Sequence, residues 1–371
     1  MTDPRIEKLA KVLVHYSCSL KKGEKILIEA RGIDYPLINA ILKEVESVGG
    51  LPFVNYIDNR VQKKLLSMMT KELAEKMAKY DAYRMAEMDA YIGIRGGNNC
   101  YETSDVDPIR TQYYDKYYSH PVHHELRVKK TKWVVLRYPT EGMSAQAKMS
   151  TDAFEDYYFN VCTLDYARMD KAMDAMAALI AKTDKVRITG RDTDLSFSIK
   201  NIGSEKCSGL RNIPDGEIYT APVKNSVNGY IHYNVPSIEK GIEFRDVRLT
   251  FKNGRIVEAT ANLTEAANSI FDTDEGARYV GEFAFGVNPY ITKAIGDILF
   301  DEKISGSIHF TPGCCYDETS NGNISAIHWD LVLVQTPEYG GGEIYFDDVL
   351  IRKDGRFVIP ELFGLNPENL V

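Results

Sequence analysis

Apolar side chains recur at Ile6, Leu9, Val12 and Leu13, the three-to-four spacing of a helix with one buried face, over Asp3–Tyr16. The segment KILIEAR at Lys25–Arg31 reads as a strand, and helical periodicity returns over Tyr35–Val48 until Gly49 and Gly50 stop it. LPFVNYI at Leu51–Ile57 has strand composition, a helix follows over Gln62–Tyr80, and strands are expected at Ala90–Ile94 and Trp133–Tyr138. Helix and strand in alternation predict a mainly parallel sheet covered by helices. No GxGxxG occurs, so a dinucleotide-binding reading has no support, and Gly96–Gly97 reads as a turn.

Behind a methionine- and alanine-rich helix over Asp165–Lys182 the texture changes to short strands between glycine turns, so the boundary is set near Thr183. Strands are expected at Val186–Ile188, Leu195–Ile199, Val247–Phe251, Arg255–Ala261, Ser305–Phe310, Ala326–Val334, Gly342–Ile351 and Arg356–Ile359. Asn253-Gly254 and Asp354-Gly355 supply hairpin turns, because both pairs tolerate the positive φ of primed turns. Helices are expected near Asp274–Gly281 and Pro289–Leu299. The pattern therefore predicts an α/β N-terminal domain over residues 1–183 and an α+β domain over residues 184–371. The second is built on a twisted, largely antiparallel sheet or partial barrel.

Length and composition agree with two soluble domains: 371 residues, 44% hydrophobic and 26% charged, exceed what one core usually organises. A net charge of -8 leaves no basic footprint for a nucleic acid or an anionic membrane. No apolar run reaches the ~18 residues of a membrane-spanning helix, and charges thread the N-terminal segment where a signal peptide would be unbroken. Cys18, Cys100, Cys162, Cys207, Cys314 and Cys315 contain no CxxC, which suits a reducing compartment; a cytoplasmic protein is expected.

The candidate chemistry lies in the second half. His328 and Asp330 are two residues apart in ISAIHWDLVLV, so on a strand both leave the same face and can converge on one ligand or simply bond each other. His309 ends SGSIHF beside the turn Thr311-Pro312-Gly313. Glu217 in PDGEIYTAP and Glu282 in GEFAFGVNP each occupy an apolar, glycine-flanked segment. A buried carboxylate there needs a cation, a strong donor or a metal, and arginines such as Arg211 or Arg278 are the plain alternative. Three carboxylates and two imidazoles form an inventory for two divalent ions, and a set without thiolate suits zinc, cobalt or manganese. HPVHHEL, with His120, His123, His124 and Glu125, lacks HExxH spacing and reads as surface.

These segments resemble the M29 family of metalloaminopeptidases. The resemblance is carried by RITGRDTDLSF (187–197), NIPDGEIYTAP (212–222), NSVNGYI (225–231), RLTFKNGRIVEATA (248–261), GEFAFGVNP (281–289), LFDEKISGSIHFTPG (299–313) and NISAIHWDLV (323–332). In the first half it rests on KGEKILIEA (22–30), length and alternation. It implies a two-metal centre held by Glu217, Glu282, His309, His328 and Asp330, with Tyr316 beside it to steady an intermediate. A metal-bridging water would attack peptides with a free N-terminus, and Glu217 or Glu282 would carry the proton. The resemblance also implies a homodimer in which the first domain controls access. One departure is the short loop FTPGCCYDETSNGN between the two histidines, where Cys314 and Cys315 add a soft ligand or serve as small apolar residues. Phe283, Phe285, Tyr219 and Trp329 are candidates for a side-chain pocket or for core.

Two other functions compete. His309, His328 and Asp330 alone match the 2-His-1-carboxylate triad of a mononuclear iron ring-cleaving dioxygenase, known on the same fold. A non-catalytic peptide- or metal-binding protein is the third. Glu217 and Glu282 discriminate, since one ferrous ion has no need of them.

Overall fold

A computed structural model describes residues 3–371 apart from 100 and 240. Met1, Thr2 and Cys100, which entered the compartment argument, lie outside the described residues. The chain forms two compact units, Met1–Thr163 with Gly209–Pro214, and Leu164–Ser208 with Asp215–Val371.

In the first unit the strands Leu51–Ile57, Lys25–Arg31, Ala90–Arg95, Lys132–Arg137 and Asn212–Ile213 lie side by side in that order, all parallel. In Lys25–Arg31 and Ala90–Arg95 the continuous apolar runs follow from burial on both faces, since the neighbours Leu27 and Ile28, and Tyr91 and Ile92, are all buried, whereas the edge strand Leu51–Ile57 is largely exposed. The expected helix over Gln62–Tyr80 is two helices, Asn59–Ser67 and Lys71–Ala86. The break comes at Thr70, whose hydroxyl accepts the Leu73 N–H and starts the second helix. The helices Pro108–Tyr114, Glu141–Gln146 and Thr151–Cys162 were not expected, nor was the π-type helix Asp115–Val128.

The division between units differs from the expected boundary at 183. The helix Tyr166–Ile180 belongs to the second unit because its Asp170 and Asp174 hold the Lys206 ammonium at 2.9 and 2.7 Å, and Asp170 also accepts from Ser208. The short strand Asn212–Ile213 returns to the first unit by pairing with Val135 and Leu136.

Two open antiparallel sheets and a two-stranded antiparallel pair, Ser237–Glu239 with Ile242–Phe244, build the second unit. One has eight strands, in the order Arg255–Thr260, Arg248–Lys252, Asn228–His232, Thr193–Ser198, Lys185–Gly190, Gly342–Phe346, Val349–Lys353 and Arg356–Phe357. The other has five, in the order Val332–Val334, Ser307–Pro312, Val280–Gly286, Glu217–Thr220 and Glu205–Cys207. Several expected elements change. Gly342–Ile351 is two strands because Asp347 and Asp348 turn the chain at φ 46° and 66°. The helix near Asp274–Gly281 is a single 3-10 turn, Glu275–Arg278, while the true helix is Thr264–Phe271. Gly281 already lies in a strand. Of Pro289–Leu299 only Ile298–Asp301 coils, after Gly296 takes φ 79°. Within Ala326–Val334 only Val332–Val334 pairs as a strand, since the Ala326 N–H is taken by the Asp274 carboxylate.

The three inner strands of the five-stranded sheet are buried from end to end. Alternation then splits them. Phe283, Phe285 and Phe310 leave one face and pack with Phe197, whose ring lies 5.1 Å from Phe283 and 5.0 Å from Phe310. That face is core. Phe283, Phe285 and Trp329 are therefore core residues, Trp329 stacking on Phe271 at 5.1 Å.

Candidate metal centre

The opposite face of the same strands carries the polar side chains. Glu217 lies across from Gly286, Tyr219 across from Ala284, His309 across from Ala284 on the other side, and Glu282 across from Thr311. Residues directly opposite in an antiparallel pair share a face, so Glu217, Tyr219, Glu282, His309 and Thr311 line one surface. Only Ala284 and Gly286 stand between them, and these small residues leave its middle open. The register slips between Val280 and Glu282, a bulge that re-aims the glutamate. Gly281 fills that bulge because a Cβ there would sit 2.3 Å from the Cys314 carbonyl oxygen.

That carbonyl orients the next ligand-type residue: His328 Nδ1 donates to Cys314 O at 2.8 Å, which turns Nε2 toward the carboxylates. His328 sits on an isolated bridge to Gly313 rather than in a regular strand. The buried Trp329 still alternates away, so His328 and Asp330 emerge together, Nε2 to Oδ1 3.3 Å. Thr311 donates to the same Asp330 oxygen at 2.8 Å.

All five sequence-expected residues meet. Glu282 lies between the imidazoles, Oε1 at 3.3 Å from His309 Nε2 and Oε2 at 3.1 Å from His328 Nε2. Glu217 Oε2 lies 3.5 Å from His309 Nε2. Ligand-type atoms fall into close groups Glu217–Glu302–His309 and Glu282–His328–Asp330, with a third, Cys207–Asp215–Glu217, alongside. Tyr316 is half-exposed, its ring 4.9 Å from that of His328 and 5.3 Å from that of Tyr219. Neither Arg211 nor Arg278 answers the glutamates: Arg278 binds Asp272 and Asn268, and Arg211 lies over Trp133.

Burial works against charge throughout this cluster, and the partners decide the outcome. Glu217 is buried enough that its carboxyl is raised, against the pull of Lys303 and His309. Glu282 pays the same desolvation, but hydrogen bonding with His309 and His328 holds it below the usual carboxylate range. Burial would lower His309 and His328; Glu282 lifts His309 to about 10, and Asp330 with Glu282 lifts His328 to about 12. So many carboxylates around two imidazoles draw in positive charge, here as protons, which a divalent cation would displace. Glu217 Oε2 is buried without a hydrogen-bond partner, and the oxygen and imidazole donors fit a borderline divalent ion.

Sequence reasoning missed Cys207, Asp215, Glu302 and Lys303. Lys303 is wholly buried with Nζ 3.5 Å from Glu217 Oε1 and paired to Glu302. In sequence Asp-Glu-Lys reads as a solvated turn. Cys314 and Cys315 are only half-buried and join none of the close groups; the Cys315 thiol contacts Ser320 and Asn323 instead. Among the described residues no close ligand group forms in HPVHHEL: His120 and His124 are exposed and stacked, and His123 packs between the Tyr91 and Tyr118 rings.

Comparison with known proteins locates the fold. The chain is 40% identical over 170 residues to aminopeptidase 2 of Geobacillus stearothermophilus, covering 40% of this chain and 39% of that protein. It is 33% identical over 141 residues to aminopeptidase AmpS of Bacillus subtilis, covering 34% and 33%. The aligned part thus spans well under half of these relatives. Wild-type AmpT from Thermus thermophilus superposes with a TM-score of 0.78 at 21% identity over 96% of this chain and 99% of that one. A dihydroxypyridine dioxygenase from Pseudomonas putida shares the fold at a TM-score of 0.61 and 12% identity, over 96% and 98%. The model of the thermophilic metalloprotease family (M29) matches residues 2–357, and the chain belongs to that family.

Proposed function

We propose that the protein is a metal-dependent aminopeptidase that removes the N-terminal residue from peptides, using two divalent cations, zinc, cobalt or manganese. Glu217, Glu282 and His309 would hold one, and Glu282, His328 and Asp330 the other. The observation that carries this reading is the Glu282 carboxylate, which offers one oxygen to each imidazole, at 3.3 and 3.1 Å. A single ferrous ion would leave that two-sided arrangement, and Glu217, without a purpose.

Bound there, divalent cations supply a polarised carbonyl and a hydroxide at neutral pH. The chain's own residues do the rest. Cys314 O and Thr311 fix His328 and Asp330, so the ligand atoms need no reorganisation. Glu282 is engaged by both imidazoles, whereas Glu217 keeps Oε2 without a hydrogen-bond partner; we assign Glu217 to take and return the proton. Burial and the carboxylates Glu282 and Asp330 raise the Tyr316 phenol, which stays protonated and donates to the developing oxyanion.

The test is reconstitution. Chelated protein is given Co2+, Zn2+, Mn2+ or Fe2+ separately and assayed on Leu-p-nitroanilide, on an N-acetylated peptide, and for oxygen uptake with a dihydroxypyridine. Hydrolysis that needs a free amine and Co2+, Zn2+ or Mn2+ is expected; oxygen uptake with Fe2+ alone would overturn the reading. A homodimer, an access role for the first unit and a cytoplasmic setting belong to the same proposal, and light scattering tests the dimer. No helix among the described residues is long and apolar enough to cross a membrane.

A further inference from the structure

The two halves of the candidate centre are not equivalent. On one side Glu282, His328 and Asp330 form a close group in which Asp330 accepts from the neutral hydroxyl of Thr311. On the other side Glu217, Glu302 and His309 form a close group that also contains a cation of the chain's own. Lys303 has 0% exposure, its Nζ lies 3.5 Å from Glu217 Oε1, and it pairs with Glu302. An ammonium with no exposed surface cannot swing away into water, since leaving two carboxylates would strand them buried and unpaired.

Charge count gives the lysine a role. Asp215, Glu217, Glu282, Glu302 and Asp330 are five carboxylates gathered by three close groups, two of which share Glu217, the third joined to them by the 3.3 Å approach of Glu282 to His309. Two divalent cations and the Lys303 ammonium together bring five positive charges. Without the lysine the cluster would hold one surplus negative charge, and it would sit on the Glu217 side. A fixed positive charge beside one group and not the other must weaken a cation at the first more than at the second, because Coulomb interactions at a few Å in a protein interior are strong and fall with distance.

We propose that Lys303 is a positioning residue that makes the Glu217 side bind its cation more weakly than the Asp330 side, so that the centre loads in a fixed order. The Asp330 side fills first. The Glu217 side, which carries the proton acceptor assigned above, fills second and exchanges faster, so activity follows the second loading step. This rests on the two-cation reading of the preceding section.

Stepwise loading of the chelated full-length protein with Co2+, followed by calorimetry and by metal counting after rapid desalting, tests it. Wild type should bind two ions per chain with affinities at least ~10-fold apart, about 1.4 kcal/mol. Lys303→Met should tighten the weaker step at least ~10-fold and move the tighter step much less, while Lys303→Arg, which keeps the charge, should retain the gap. Far-ultraviolet circular dichroism reports whether each variant is folded. Two equal steps in wild type overturn the proposal even if no variant folds, as does a folded Lys303→Met whose gap is unchanged. Binding of one ion or none would instead remove the two-cation reading itself, so the two failures are distinguishable.

Discussion

Each unit buries charge on one face of a sheet, and the two do it differently. In the parallel sheet Glu29 is buried but answered at once: Arg31 donates to it at 2.6 Å and Tyr91 at 3.1 Å. One carboxylate meets one guanidinium two residues along the same strand. In the five-stranded antiparallel sheet three side chains, Glu217, Glu282 and His309, are buried together, two acids to one imidazole, and the buried ammonium of Lys303 reaches them from the turn before Ser307–Pro312. A charge that is neutralised locally needs nothing more. A cluster that keeps surplus acid and orphaned ligand atoms is stable only if something positive comes to it. The contrast marks the second sheet, and not the first, as the place for cations.

The comparison breaks most visibly at Glu282. Glu282→Gln removes the group that both imidazoles share, so kcat/KM on Leu-p-nitroanilide should fall at least ~10³-fold, with metal content per chain falling in parallel. Full activity in a metal-replete Glu282→Gln protein would show that the sheet's surplus charge serves another purpose. His309 and Phe310 sharpen the point because they are neighbours on opposite faces. Phe310→Ala should cost ~3–5 kcal/mol in urea denaturation, since its ring packs on Phe197, Phe251 and Phe283. His309→Ala should cost far less stability in chelated protein yet abolish metal-dependent activity. Equal losses of stability would mean that the polar face is a structural network only.

In the first unit the matching test is Arg31→Met. It leaves Glu29 buried without its guanidinium and should cost ~3–5 kcal/mol, whereas Arg31→Met with Glu29→Leu should recover most of that. Neither change should alter metal content.

Much of this contrast was legible in the sequence, for reasons that differ by residue. Glu217 and Glu282 stand out because a lone acid in an apolar, glycine-bracketed run has no local partner. His328 and Asp330 stand out by their spacing, although the segment holding them pairs at a single bridge. The alternating face of Val280–Gly286 was hidden because a helix was expected to end at Gly281, so Phe283 and Phe285 looked as available to a pocket as to the core. Glu302 and Lys303 were hidden more deeply. Adjacent opposite charges are the usual mark of a solvated turn, and only the tertiary fold buries them against Glu217. In the parallel sheet the apolar run of Lys25–Arg31 states its own burial, whereas Leu51–Ile57, an exposed edge strand, matches the observed bounds through its β-branched and aromatic composition.

The smallest expected effect concerns His123, which sits in the locally neutralised region beside Glu29. Burial lowers its pKa to about 4; Glu29 opposes that shift, and Arg127, Arg31 and Arg95 add to it. An unfolded chain would protonate the same imidazole near ~6.5. Between those values the unfolded state binds the extra proton, so stability should decline as pH falls from ~6.5 toward 4. One group contributes at most ~1.4 kcal/mol per pH unit, a slope readable in urea denaturation at several pH values. His123→Gln should flatten that part of the profile while leaving the metal content of the second unit unchanged. A profile as steep in His123→Gln as in wild type would mean that the acid sensitivity arises elsewhere, and that the charges around Glu29 are neutralised without regard to this imidazole.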